Sequence, residues 1–159
     1  MKKTALGLLF ILANSVLSQS AAQQESDLAA INSVLNQYHA AAATANWTLY
    51  FELMSEDGVF LGSDISERWT REEFRVYAGA SNGWVYTPQE RHITITPDGN
   101  SAWFDERLSS ASYGSSRSTG VLNRSSSGWR ISQYSLSFPI PNALLRDMTN
   151  AIKAYEAQQ

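Results

Sequence analysis

Residues 128–142 read GWRISQYSLSFPIPN, and this stretch decides where the sheet of the protein ends. Residues 129–138 are predicted to form the last strand. Pro139 and Pro141 have no backbone N–H to donate to a neighbouring strand, so the strand is expected to stop there. Asn142 is a favourable helix cap, which predicts a closing helix from this residue onward.

Hydrophobic periodicity and turn residues predict the remaining segments. The closing helix is expected over residues 142–157, where the apolar side chains form one stripe: Leu145, Met148, Ile152 and Tyr155. Helices are expected from Ser26 or Asp27 to about Ala45, at 47–54, and from Thr70, where Glu73 completes a capping box. Strands are expected at 59–61, 90–96, 101–109 and 117–124.

Helices followed by a run of long strands predict an α+β domain. The N-terminal helices are expected to pack on one face of a curved antiparallel sheet, with a C-terminal helix added. A single domain, residues 23–159, suits a chain of 159 residues. A sheet curved around helices leaves a conical pocket, where a small-molecule ligand is expected to bind.

The first 22 residues are predicted to be a signal peptide. Lys2 and Lys3 precede an apolar run over residues 5–17, and the small residues that follow favour cleavage after Ala22. The apolar run is too short for a membrane span. The protein is therefore expected to be periplasmic or secreted, with no stable membrane span after cleavage.

Composition excludes several classes of function. Cleavage would change the formal net charge from −3 to −5, and the sequence has no basic run, so nucleic acid is not expected as a partner. The absence of cysteine excludes disulfides, thiolate metal sites and cysteine nucleophiles. Only two histidines are present and no phosphate-binding loop or nucleophile elbow, so neither a metal nor a cofactor is expected.

Short motifs along nearly the whole predicted domain carry a family resemblance. They are the aromatic helix at 47–51, DGVFLG at 57–62, ERWT at 67–70, ERH at 90–92, AWFDE at 102–106, YG at 113–114, Arg117, GVL at 120–122 and the block 129–142. Together they resemble the secreted SnoaL-like branch of the nuclear transport factor 2-like superfamily.

The resemblance implies the cone-shaped nuclear transport factor 2-like fold and a ligand pocket. The superfamily includes isomerases, polyketide cyclases and dehydratases as well as non-catalytic binding or assembly domains, so the fold alone does not select one activity. Many relatives carry alternating histidines on the last strand. This chain has Gln133 and Ser135 at the corresponding positions, so histidine chemistry is not expected on that strand.

The turn PDGN at 97–100 sets the register of the hairpin around it. If Thr96 faces Ser101, His92 faces Asp105, and the charged pairs of the two strands fall opposite each other. A carboxylate beside an imidazole fixes its tautomer and raises its basicity, so His92 and Asp105 are a candidate catalytic pair, with Trp103 as an apolar wall. The alternative is a cross-strand ion pair on a solvated or dimer-facing surface.

The opposite face of the same hairpin is more apolar and also carries Arg91 and Glu106. A buried arginine–carboxylate pair must be fully hydrogen-bonded to be tolerated. This pair is therefore predicted to be either structural or ligand-binding, at the rim of the pocket.

The last hairpin offers a further candidate. Pairing Leu122 with Ile131 places Gln133 on the same face as Trp129 and Gly120. Gly120 is then expected to leave open space, into which Gln133 presents a donor and an acceptor to a ligand. Trp129 is expected in the core, and the alternative role of Gln133 is to satisfy backbone groups.

Four other residues complete the candidates. The resemblance implies that Tyr50 and Trp69 line the pocket mouth, although Tyr50 is also a good core residue. His39 is expected at the surface end of the first helix. Arg117 is predicted to be either an anion binder or a solvated edge charge.

Two functions follow as alternatives. One is an exported protein whose pocket binds a small, mostly apolar molecule and performs acid–base chemistry on it, such as isomerisation, cyclisation or hydration. The other is a non-catalytic module that forms a homodimer or carries a ligand, favoured by the polar, aromatic-bearing sheet face and by the lack of a catalytic signature. The choice depends on which sheet face lines the pocket.

Overall fold

A computed structural model describes the backbone of residues 5–158 and the side chains of residues 21–158. Its helices are α1 Ala5–Ala43, α2 Trp47–Glu52, α3 Arg71–Gly79 and α4 Leu145–Glu156. Its strands are β1 Met54–Leu61, β2 Arg68–Thr70, β3 Thr87–Ile95, β4 Ser101–Ser110, β5 Gly114–Ser125 and β6 Gly128–Ser137. They form one sheet in the order β2-β1-β6-β5-β4-β3.

The predicted α+β architecture is confirmed, with one change in the sheet. Strands β3 to β6 form the expected antiparallel meander, but β1 runs parallel to β6 and β2 is an additional short edge strand. Residues 54–58 belong to β1 rather than to the second helix. A register shift between Met54 and Val59 shows a bulge, and Gly58 lies within it, where a side chain would contact the Ile131 carbonyl.

One face of the sheet is buried against α1 and the other is exposed. In β4, Ala102, Phe104, Glu106 and Leu108 point inward, whereas the residues between them are exposed. The predicted stripe of α1 covers this inner face with buried side chains, among them Ile31, Leu35, Tyr38 and Ala42. We call the buried face the inner face and the other the outer face.

The β5–β6 hairpin contains a bulge that corrects the predicted position of Gln133. Leu122 pairs with Ile131 as predicted, but the next pair is Val121 with Gln133, so Ser132 is an extra residue. Because side chains alternate along a strand, one extra residue exchanges the two faces beyond it. Gln133 is therefore exposed on the outer face and does not point into the pocket.

The same bulge turns Tyr134 inward, opposite Gly120. The space beside Gly120 was predicted to be open, and this prediction is wrong. A Cβ at this position would lie 2.7 Å from Cε1 of Phe104 and would overlap the Gln133 carbonyl oxygen. Gly120 thus lets the Phe104 ring pack against the backbone and leaves no room for a ligand.

Among the side chains described, residues 21–158, the first buried one in α1 belongs to Asp27. Its carboxylate accepts hydrogen bonds from Arg124 Nη2 at 2.5 Å and from Trp129 Nε1 at 3.4 Å. The hydrogen bond with Arg124 is the main reason that the pKa of Asp27 is lowered, against the opposing effect of burial. Residues 21–26 are exposed.

The closing segment differs in detail from the prediction. A 3-10 turn, Asn142–Leu144, precedes α4, and Asn142 makes no capping bond with its side chain. The predicted apolar stripe of α4 is exposed: Leu145, Met148, Ile152 and Tyr155. In the described part of the chain, no helix has the length and hydropathy needed to cross a membrane.

The position of Asp27 predicts how the chain tolerates the removal of residues 1–22. A chain that begins at Gln23 should unfold with a free energy within about 0.5 kcal/mol of the full chain, because Ala21 and Ala22 are exposed and the buried residues among 21–158 begin at Asp27. Replacing Asp27 with Ala in the shortened chain should cost about 1–3 kcal/mol, since it leaves Arg124 and Trp129 without their acceptor. Urea unfolding measures both. A shortened chain as unstable as its Asp27→Ala variant would contradict this assignment.

Candidate functional site

Two adjoining cavities lie between the inner face of the sheet and the helices. Both cavities are on the inner face. We call the larger one, of about 260 Å³, the outer cleft, and the smaller one next to it, of about 20 Å³, the inner pocket. Four residues line both of them: Phe60, Trp84, Tyr86 and Leu136. The two cavities therefore adjoin each other and share these four side chains as a wall.

The outer cleft is built mainly of aromatic rings from different elements. Trp69 of β2 stacks on Phe74 and on Tyr77 of α3, with ring centroids 5.3 and 4.8 Å apart. On another part of the wall, Tyr113 packs on Phe138, which directly follows β6. Such a cleft offers a ligand a large apolar surface.

The inner pocket is lined by tyrosines and by one histidine. Tyr38 and His39 come from α1, Tyr50 from α2 and Tyr134 from β6. The rings of Tyr38 and Tyr50 are stacked with centroids 3.9 Å apart, and Tyr134 lies 5.0 Å from Tyr38. The polar groups of this pocket are thus phenol hydroxyls and an imidazole.

His39 contacts a carboxylate that is completely buried. Glu106 of β4 has no exposed side-chain surface, and its Oε1 lies 2.5 Å from Nε2 of His39. The same oxygen accepts a hydrogen bond from Ser118 Oγ at 2.8 Å, and Oε2 accepts one from Arg91 Nε at 2.7 Å. Because an ionised carboxylate only accepts, neutral His39 must carry its proton on Nε2.

Arg91 is itself held in place by α1. Its Nη1 donates to the side-chain oxygens of Asn32 at 3.0 Å and of Asn36 at 2.9 Å. The guanidinium therefore links β3, β4 and α1 through three side chains. Both oxygens of the carboxylate are hydrogen-bonded, whereas Nη2 of Arg91 is buried without a partner among the described residues, so the guanidinium is only partly hydrogen-bonded.

The ionisation of Glu106 follows from these contacts. Burial alone would raise its pKa, but the hydrogen bond and charge of His39, together with Arg91 and Ser118, outweigh burial. The pKa of Glu106 is consequently lowered from its ordinary value of 4.5, and the group is a carboxylate at neutral pH.

The three tyrosines keep their protons. Burial raises the pKa of Tyr38, Tyr50 and Tyr134, and the nearby Glu106 carboxylate raises that of Tyr134 further. The Tyr38 hydroxyl donates to Sδ of Met54 at 3.9 Å. At neutral pH the three side chains are therefore phenols, each with a hydroxyl that can donate a hydrogen bond.

The arrangement makes His39 a candidate general base, with the Glu106 carboxylate as its supporting group. Nδ1 of His39 makes no hydrogen bond with any residue in 21–158, and the ring lines the inner pocket. A neutral imidazole whose Nε2–H is held by a carboxylate can accept a proton at Nδ1, and the carboxylate stabilises the resulting imidazolium. His39 was predicted to be a surface or helix-end histidine. It does lie near the end of α1, but its side chain is only 10% exposed, so the expected surface position is wrong.

The predicted register of the β3–β4 hairpin is confirmed, including the pairs His92 with Asp105 and Arg91 with Glu106. However, His92 and Asp105 lie on the outer face, and His92 Nε2 contacts Glu90 at 3.2 Å. Trp103 is exposed on the same face. These residues line neither cavity. They lie on the surface as the alternative expected, but His92 pairs with Glu90 of its own strand instead of forming the expected cross-strand ion pair with Asp105. The catalytic role of His92 and Asp105 stays a prediction.

The other predicted site residues lie at different depths below the protein surface. Trp69 lines the outer cleft, as the resemblance implied for the pocket mouth, whereas Tyr50 lines the inner pocket. Tyr50 is also a core residue, with almost no exposed surface. Arg117 is exposed on the outer face. Of the predicted ligand-binding residues, Arg91 and Glu106 thus join His39, whereas Gln133, Trp103 and Arg117 do not.

A signal for His39 was present in the sequence. Asn32, Asn36 and His39 recur at helical spacing and form a polar stripe beside the apolar stripe of α1. That stripe faces Arg91 and Glu106 in the structure. Polar residues at a core-facing edge of a helix, combined with a charged pair on the inner face of the sheet, indicate a buried network.

No metal site accompanies this network. Among the described residues, no group of three or more histidine, aspartate or glutamate side chains is arranged to hold a metal ion. Glu106 and His39 satisfy each other, and Arg91 occupies the remaining carboxylate oxygen. The site is therefore considered in terms of protein side chains alone.

Comparison with known proteins identifies the domain. Residues 31–141 match the family described as SnoaL-like domain. A nuclear transport factor 2-like protein with a cystatin-like fold from Novosphingobium aromaticivorans superposes with a TM-score of 0.65 at 15% identity, covering 81% of this chain and 92% of that one. A protein of unknown function from Mycobacterium tuberculosis also gives 0.65, at 18% identity and 78% coverage of each chain.

A nuclear transport factor 2-like protein of unknown function from Pseudomonas putida gives a TM-score of 0.60 at 14% identity, covering 77% of this chain and 90% of that one. At such identities these likenesses show the fold and not the activity. No curated protein matches the sequence.

Glu106 is predicted to make stability depend on pH. The pKa of Glu106 is lower in the folded state. Its contribution to the free energy of unfolding is therefore complete above pH 4.5 and is lost as pH falls through the pKa of the folded state. Glu106→Gln should cost about 3 kcal/mol at pH 7, since it leaves Arg91 buried without its counter-charge. The difference from the unsubstituted chain should shrink below pH 4.5 in urea unfolding.

Glu90→Gln is the matched control. Glu90 is half-exposed and pairs with His92 and Arg107 on the outer face, so its replacement should change stability by less than about 1 kcal/mol. Two results would contradict the role of Glu106 as a buried carboxylate. One is a loss of unfolding free energy in Glu106→Gln that does not depend on pH, and the other is an equal loss in both substitutions.

Proposed function

We propose that this chain, which belongs to the SnoaL-like domain family, binds a small organic molecule in its two cavities and transfers a proton on it through His39. The observation that carries the proposal is the contact of His39 with the buried Glu106 at the inner end of an aromatic cleft. The reaction class is proton abstraction and return, as in isomerisation, cyclisation or hydration.

The geometry supports a specific division of roles. Nδ1 of His39 takes a proton from the ligand, and the imidazolium is stabilised by Glu106 at Nε2. Hydroxyls of the inner tyrosines donate to the oxygen on which negative charge develops. The proton is then returned from Nδ1 to another atom of the same ligand, so that His39 ends neutral.

Arg91 supports this site without touching a ligand. It holds Glu106 ionised and anchors it to α1, and thereby keeps His39 in one tautomer and one orientation. Of the two outcomes predicted for the Arg91–Glu106 pair, the proposal uses the structural one. The pair serves the site by positioning His39.

The proposal includes export. It is supported by the basic start, the apolar run and the small residues that end at Ala22. It is also supported by the exposure of residues 21–26, on both sides of the expected cleavage site. The mature protein would then begin at Gln23, in the periplasm or outside the cell.

The proton-transfer role is tested by comparing the two histidines. Protein purified from its native compartment is examined by native mass spectrometry for a retained small molecule, and exchange of that ligand's C–H protons with D2O is followed by NMR. His39→Gln should slow the exchange by about 100-fold or more, the usual contribution of a general base. Ligand affinity and thermal stability are measured alongside.

His92→Gln provides the comparison on the outer face. If exchange is lost in His92→Gln and kept in His39→Gln, the chemistry belongs to the pair His92 and Asp105 instead. If neither substitution slows exchange, the pocket binds without acid–base catalysis.

A second candidate function, assembly into a homodimer, is supported by the outer face of the sheet. Trp103 is 51% exposed there, although large aromatic side chains are usually covered. It lies between Thr94 on β3 and Val121 on β5, in a face that also carries the charges of Asp105 and Arg107. An exposed aromatic centre with a polar rim is typical of a protein interface.

Sedimentation at micromolar concentration should therefore show a dimer. Trp103→Glu should convert it to a monomer, because a charge would be buried at the centre of the interface. Val76→Glu is the control, since Val76 is exposed on α3 away from this face. A monomeric unsubstituted protein would contradict the dimer.

A further inference from the structure

The wall of the outer cleft carries negative charge and no positive charge. Among the described residues that line it, Glu67 is charged, and none is a lysine, an arginine or a histidine. Eight of the twelve are aromatic. An aromatic cleft with one carboxylate and no cation differs from a plain apolar pocket, because the charge of a ligand affects how well the cleft binds it.

Glu67 is built into this wall by its neighbours. The backbone N–H of Gly62 donates to the Glu67 carbonyl at 2.9 Å, and the backbone N–H of Asp64 donates to Oε2 of Glu67 at 3.1 Å. A Cβ at position 62 would overlap the Glu67 carboxylate. The glycine thus makes the space in which the carboxylate lies.

This carboxylate has no counter-charge among the described residues. The ion pairs of residues 21–158 involve Asp27, Glu72, Glu90 and Glu106 as acids, and Glu67 is in none of them. A neutral ligand that filled the cleft would remove water from Glu67 and offer it nothing in return, which is costly. An anionic ligand would be repelled.

The aromatic rings favour the same kind of ligand. The faces of tryptophan and tyrosine rings carry partial negative charge, and they attract cations, above all substituted ammonium groups. Trp69 and Tyr77 provide stacked rings on one part of the wall, and Tyr113 and Phe138 a second pair. Glu67 lies in the same lining as these four rings.

We infer that the outer cleft binds a tertiary or quaternary ammonium group, with Glu67 as its counter-ion and Trp69 and Tyr77 as its aromatic wall. The inference rests on the proposed ligand-binding function of the same cavities and names the class of ligand, an organic cation. The cationic end lies in the outer cleft, and the rest of the molecule extends towards His39 in the inner pocket.

The test uses two small molecules of the same shape. Choline has a positively charged nitrogen at the centre of its trimethyl group. In 3,3-dimethylbutan-1-ol a neutral carbon takes the place of that nitrogen. Binding to the full chain is measured by titration of tryptophan fluorescence, which Trp69 and Trp84 in the cleft wall should report. Choline should bind about tenfold more tightly than the neutral alcohol, from the cation–π and charge interactions combined.

Substitutions identify the source of the preference. Glu67→Gln keeps the size of the side chain and an oxygen that can accept from Asp64, and it should remove most of the preference for choline. Gly62→Ala should weaken choline binding as well, because it displaces the carboxylate. Glu72→Gln is the control: Glu72 is exposed on α3, pairs with Arg75 and should leave both affinities unchanged.

Equal affinity for the two molecules, tighter binding of the neutral one, or no measurable binding of choline would overturn the inference. So would an unchanged preference in a folded Glu67→Gln protein. Because the comparison in the unsubstituted chain needs no variant, a Glu67→Gln protein that fails to fold does not prevent the test. The proton-exchange experiment on His39 is independent, so a charge preference without proton transfer would refute the catalytic proposal alone.

Discussion

The carboxylate of Glu106 is the group on which the rest of the structure depends. It is completely buried, and three different elements provide its partners: His39 from α1, Arg91 from β3 and Ser118 from β5. A buried charge is tolerated only when its hydrogen bonds are complete, so each partner must hold its position. The position of α1 across the sheet, and with it the shape of the inner pocket, follows from this requirement.

Two chemically different regions result from the same fold. Near Glu106 the cavity is small and carries an imidazole and phenol hydroxyls, which suit the movement of a proton. Farther out it is wide and aromatic, with the single charge of Glu67. Interactions in the outer region can position a molecule whose reactive atoms lie in the inner one, which is how binding energy remote from the chemistry assists catalysis.

Local sequence rules were reliable where neighbours in the chain decide the structure. The Thr70–Glu73 capping box is present, with both of its hydrogen bonds. The turn at 97–100 set the β3–β4 register from Glu90 to Ile95, and alternation then placed Arg91 and Glu106 on the inner face. The prediction failed at the β5–β6 hairpin, where Ser132 is an extra residue. The sequence does mark this bulge, because the large apolar residues change from positions 129 and 131 to positions 134, 136 and 138.

The sequence by itself determined the α+β class, the strand pairing of the central hairpin and the apolar face of α1, because periodicity and turn residues act over a few positions. Only the tertiary structure decided that His39 is the histidine at the pocket. His39 and Glu106 are 67 positions apart, and their contact exists only when α1 lies across β4. The last strand, Gly128–Ser137, therefore provides Tyr134 to the wall of the pocket, and the proposed base comes from the first helix.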